Sequence, residues 1–122
     1  LNSLSTVVKD ADAMLLSLKN NKIFEITIPG KLQTYLAIGL PILGMINGEG
    51  AKLIKNNEVG YSSKAGDHIG LSKNIIKLMN SSMQLRKKMS HNAQNLAKNK
   101  FSRIEIISYL EIQLKKLTEL CV

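Results

Sequence analysis

Two short apolar runs without apolar–polar alternation constrain this chain more than any other feature. They are Ala13-Met14-Leu15-Leu16-Ser17-Leu18 and Ile42-Leu43-Gly44-Met45-Ile46. Each has the length of a buried strand, and the missing alternation implies a sheet covered on both faces. Between them, Pro29 suits the first turn of a helix, where its absent N–H costs nothing. Lys31–Ile38 continues that helix, Gly39 is placed to end it in a left-handed cap, and Pro41 prevents continuation. Lys19–Lys22 reads as a polar turn, and Phe24–Lys31 as a loop running into the helix. Gly48–Asn57 reads as a short helix with Ala51, Leu53 and Ile54 inward, and Val59–Ser62 as a third, weaker strand.

The rest of the chain reads as helix. Asp67 can cap a helix with apolar positions Ile69, Ile75, Ile76 and Met79. Ser82 can cap another, with Leu85, Met89, Ala93 and Leu96. Ser102 and Glu105 make a capping box before a last helix whose stripe is Ile104, Ile107, Leu110, Leu114, Leu117 and Cys121. Leu1–Lys9 reads as a helix or the end of one. Strands alternating with helices argue for an α/β fold: a partial doubly wound, Rossmann-like parallel sheet with a helix-rich C-terminus. The length, 122 residues, is room for one domain. The chain opens on Leu1, inside what reads as an element, so residues 1–122 are expected to be a fragment of a single domain.

Charge is uneven. Residues 1–61 hold six lysines and five acids, whereas residues 62–122 hold nine lysines, two arginines and four acids. Such a half suits an acidic partner or, more simply, a solvated helix surface. Aromatics are 4% with no Trp, too few for a base-stacking platform, so nucleic acid is not an expected partner. The run Leu36–Ile46 is broken by Gly39, Pro41 and Gly44 and is too short to span a membrane. There is no secretory signal pattern, and a single cysteine cannot form an internal disulfide. A reducing, cytoplasmic setting is therefore expected.

In open parallel sheets, ligands bind beyond the carboxyl ends of the strands. The segment after the first strand carries Glu25, Thr27, Gly30 and Lys31 into a helix N-terminus. Free N–H groups, a glycine without Cβ and a lysine would together cradle a diphosphate, and Glu25 would accept from sugar hydroxyls. An ordinary strand–helix loop with a surface Glu reads equally well. The next strand end, Asn47-Gly48-Glu49-Gly50, repeats the theme, or is a tight turn with Glu49 favoured at the positive helix end. Asp10-Ala11-Asp12 has the Asp-x-Asp form but precedes the first strand, on the side away from these loops. His68 and His91 lie far apart, so no metal site is expected. No Walker loop or Gly-x-Ser-x-Gly elbow is present. Met79, Met83 and Met89 read as core filling, and Cys121 as packing.

Ala11–Leu18, Ile23-Phe24-Glu25, Ile28-Pro29-Gly30-Lys31-Leu32 and Tyr35-Leu36-Ala37-Ile38-Gly39-Leu40-Pro41-Ile42 together resemble the donor domain of family 4 retaining glycosyltransferases. Gly48-Glu49-Gly50-Ala51, Glu58-Val59-Gly60 and Phe101-Ser102 fit the same pattern, which is similar to bacterial enzymes of O-antigen and capsule synthesis. The resemblance implies the C-terminal half of a GT-B donor domain. It also implies a nucleoside-diphosphate-sugar donor and a saccharide or lipid-linked acceptor at the inner membrane face, with no metal or other cofactor. Glu25 matches the first Glu of the family's pair, which meets the donor sugar. The second slot, on the ribose, falls at Thr34, or at Gln33 by strict spacing, and neither is a carboxylate. The catalytic cations, the first strands and the acceptor domain would lie upstream, so the isolated chain is expected to be inactive. Ala13–Leu18 is expected at an unpaired sheet edge that invites self-association.

Overall fold

The computed structural model describes residues 6, 8–100 and 103–120. The expected helix over Leu1–Lys9 falls mostly outside that set, as do Ser102 of the capping box and Cys121. The fold is mixed α/β around a three-stranded parallel sheet. Strand β1 is Met14–Ser17, β2 is Ile42–Met45 and β3 is Gly60–Ser63, in the order β1-β2-β3. The register sets Leu15 beside Leu43 and Leu43 beside Tyr61. The third strand thus begins one residue later than the sequence suggests.

Among the described residues, six helices accompany the sheet: α1 (Lys22–Ile26), α2 (Gly30–Ile38), α3 (Glu49–Asn56), α4 (His68–Met79), α5 (Met83–Lys100) and α6 (Arg103–Leu120). Pro29 sits at the N-cap of α2, and Gly39 closes it at φ 82° with its N–H on the Tyr35 carbonyl. The Asp67 carboxylate caps α4 by accepting from the Gly70 N–H at 2.9 Å, and Ser82 Oγ caps α5 by accepting from the Leu85 N–H at 3.1 Å. Short polar side chains at these positions satisfy N–H groups that the helix cannot.

Two apolar layers flank the sheet. Leu16, Ile42 and Ile46 on one face pack against Leu32 and Leu36 of α2 and Leu53 and Ile54 of α3. On the other face Leu43 packs with Leu78 and Met89. Helix α5 joins the layers, because Met89 belongs to the second and Ala93, one turn later, to the first. It passes beneath the amino ends of the strands: the Asn92 amide donates to the Glu58 carbonyl at 3.1 Å, just before β3.

Several expectations fail for lack of neighbours. Strand β2 is buried throughout, but β1 alternates: Leu16 is buried and Leu15 is 52% exposed. Helix α4 covers β2 and β3 but leaves the Leu15 side of β1 open. The face of α4 that turns inward is Leu71 and Leu78, seven residues apart, while Ile69, Ile75, Ile76 and Met79 are exposed. Met83 is exposed too, so only Met89 of the three methionines fills core. On α6, the stripe Ile107, Leu110, Leu114 and Leu117 exists but faces solvent. Among the described residues, no helix is long and apolar enough to cross a membrane.

Candidate functional site

The loops that follow the three strands meet at the carboxyl end of the sheet. Asn47, directly after the buried β2 segment, ties them together. Its amide donates to Asn20 Oδ1 at 3.2 Å, in the loop after β1. Its Oδ1 accepts from the Ala65 N–H at 3.1 Å, in the loop after β3. In the sequence alone Asn47 reads only as part of a turn. The available signal was an amide side chain between a buried strand and a glycine, where it can reach backbone on both sides.

Residues 22–26 form helix α1 where a loop was expected. Asn21 nucleates it by accepting from the Ile23 N–H at 2.8 Å, and the Thr27 hydroxyl ends it by donating to the Ile23 carbonyl at 2.8 Å. Thr27 is therefore engaged in the local backbone. Ile23 and Ile26 of α1 are exposed. Glu25 is half-buried, and its carboxylate has no hydrogen-bond or ion-pair partner among the described residues.

The structure brings the two glycine-bearing segments into contact. Gly48 holds φ 78° and ψ −143°, a region open to glycine and costly for other residues. A Cβ there would collide with the Glu25 backbone. Gly48 is thus a close-packing point between α1 and the start of α3, and its missing side chain admits protein. Gly50 is similar: a Cβ would lie 2.8 Å from Ile46 Cδ1 and 3.5 Å from Pro29 Cδ. Gly30 differs, since nothing lies within 4 Å of the position a Cβ would take. The first turn of α2 therefore stands open, with Lys31 exposed beside it.

The remaining candidates are already occupied or only partly available. The Thr34 hydroxyl donates to the Gly30 carbonyl one turn back at 3.2 Å. Gln33 is half-buried on the same helix. Glu49 pairs with Lys52 at 3.3 Å, an exposed contact within α3 that adds little. Asp12 lies before β1, at the opposite end of the sheet. What this end offers, among the described residues, is a carboxylate at Glu25 and a cation at Lys31 without partners, and an open helix start at Gly30. That set can accept from hydroxyls and donate to an anion. Comparison with known proteins gives no matching family model and no matching curated protein.

Proposed function

We propose that the chain is the nucleotide-sugar-binding part of a retaining glycosyltransferase of the GT-B type. It would serve transfer of a sugar from a nucleoside-diphosphate donor to a saccharide or lipid-linked acceptor in surface polysaccharide synthesis. The observation that carries this reading is the packing of Glu25 on Gly48 beside the open start of α2. Glu25 then lies in the segment that leads into the helix start carrying Lys31, at the carboxyl end of a parallel sheet, where such ligands bind. In this reading the helix start and Lys31 meet the diphosphate and Glu25 meets the sugar. The basic C-terminal half suits a cytoplasmic membrane face rich in anionic lipid.

The test is calorimetric titration of the chain with UDP and GDP in low and high salt, beside Glu25→Ala. Saturable binding that survives salt and falls about tenfold or more without the carboxylate is expected, as for a charge-assisted hydrogen bond. Binding that ignores Glu25 refutes the placement. One observation favours a second reading, a non-catalytic binding domain. The Thr34 hydroxyl, in the slot of the second Glu, is spent on its own helix. Donor turnover by the full-length protein would exclude that reading.

A further inference from the structure

The outer edge of β3 is not a bare strand edge. A cavity of about 430 Å³ wraps around it, within the size range of small-molecule sites. Lysines from three helices converge there: Lys55 from α3, Lys77 from α4 and Lys88 from α5. Lys77 Nζ stands 4.5 Å from the centroid of the Tyr61 ring. Lys88 Nζ lies 3.8 Å from Glu58 Oε2. Glu58 is the cavity's one acid, so two positive charges remain in excess.

The edge backbone adds neutral donors. The Val59 and Ser63 carbonyls accept from the Ile42 and Ile46 N–H groups of the β2 segment. Backbone groups alternate in direction along a strand, so those of Gly60 and Ser62 turn outward into the cavity. Asn74 and Ser62 also line it. One wall is apolar, made by Leu85 and the buried Met89.

The backbone of Glu58 is held against its preference. It is the one non-glycine residue at positive φ among the described residues, at 51°. The Glu58 N–H reaches the Lys55 carbonyl, and the Val59 N–H the Ile54 carbonyl. That is the pattern of a helix end at which glycine is usual. Costly backbone of this kind gathers at working sites. Here it carries the carboxylate to Lys88 and leaves Lys55 and Lys77 to a ligand.

We infer that the free edge of β3 binds a phosphomonoester of a small organic molecule. The dianion lies among Lys55, Lys77 and Lys88 with the outward N–H groups of Gly60 and Ser62, and the organic part rests on Leu85 and Met89. This site is on the far side of the sheet from Glu25 and does not depend on the glycosyltransferase reading. Amide chemical shifts of the full chain, followed during titration with inorganic phosphate and with phenyl phosphate, test it. Saturable shifts at Gly60 and Ser62 are expected with both probes, at lower concentration for phenyl phosphate. Lys77→Met with Lys88→Met should weaken binding about tenfold or more, as loss of charge-assisted contacts does. Both lysines are exposed, so an unchanged thermal midpoint is expected to show that the variant folds. Lys98→Met, which removes a charge away from the cavity, should leave binding intact. Glu58→Gln should tighten it by releasing Lys88. No saturable shift at Gly60 and Ser62, or equal weakening by Lys98→Met, overturns the proposal. Equal affinity for sulfate and both phosphates overturns it too, by showing an adventitious ion only.

Discussion

The two ends of the sheet are built on different terms. At the carboxyl end, positions are fixed by close backbone packing and one side-chain amide: Gly48 lies against the Glu25 backbone, and Asn47 spans the three loops. Of the charged groups there, Glu25 and Lys31 have no partner among the described residues. At the amino end and outer edge of β3, positions are fixed by side chains. Asn92 holds Glu58, Glu58 meets Lys88, and Lys77 stands over Tyr61. A site of the first kind is sensitive to added volume. A site of the second kind is sensitive to charge, and long solvated lysines there can change without unfolding the chain.

Perturbations at each end should show this contrast. The largest effect is expected at two glycines. A Cβ at Gly60 would strike the Ile42 backbone, and one at Gly48 the Glu25 backbone. Gly60→Ala and Gly48→Ala should each destabilise by about 2–4 kcal/mol in urea denaturation. Only Gly48→Ala should also disturb the amides of α1. Asn47→Ala comes next, at about 1–2 kcal/mol, because it leaves the Ala65 N–H and the Asn20 side chain without their partner. Hydrogen exchange should then speed up in the loops after β1 and β3 together. If only one loop responds, Asn47 is not the tie described. Asp67→Ala removes the cap of α4 and should cost about 1 kcal/mol.

The smallest shift has the opposite sign. Glu58→Gly relieves a left-handed backbone and should stabilise by about 0.5–1 kcal/mol. The lost contact with Lys88 is exposed and offsets little of that gain. A destabilised Glu58→Gly would mean that the glutamate serves the fold more than the cavity. At β1, the exposed Leu15 edge is expected to self-pair at high concentration. Sedimentation should show association that Leu15→Lys suppresses, and equal behaviour of both proteins would remove the idea.

Much of the sheet was legible because its signals are local. Pro29, Gly39 and Pro41 punctuate α2 and β2, and Asp67 and Ser82 mark helix starts by chemistry that needs no tertiary context. Helix α1 was not legible. Phe24–Lys31 reads as a loop running into the next helix, and the five residues of α1 are too few to display a helical period. The buried face of α4 is not legible because that helix is apolar on several sides, so sequence offers Ile69, Ile76 and Met79 as readily as Leu71 and Leu78. On α6 the periodicity marks Ile107, Leu110, Leu114 and Leu117 as one stripe, but burial needs a neighbour, and periodicity supplies none. Of the carboxyl-end residues, the roles of Gly48 and Gly50 were invisible because a glycine's reason lies in what approaches it. The lysine cavity joins residues 55, 77 and 88 from three helices, and no spacing rule connects them.

The order β1-β2-β3 bears on how the chain acquires its structure. Each pairing joins strands that are consecutive in the chain, although parallel partners such as Met14 and Ile42, or Ile42 and Gly60, meet only after an intervening helical crossover. Parallel pairing across such crossovers is non-local and slows folding, yet this order lets a nascent chain add strands in the direction of synthesis. Helix α5 is the exception, because it closes on both layers only after β3 has left the ribosome. Until Met89 and Ala93 arrive, the amino ends of all three strands are uncovered, and that interval is when the growing chain most needs protection from its neighbours.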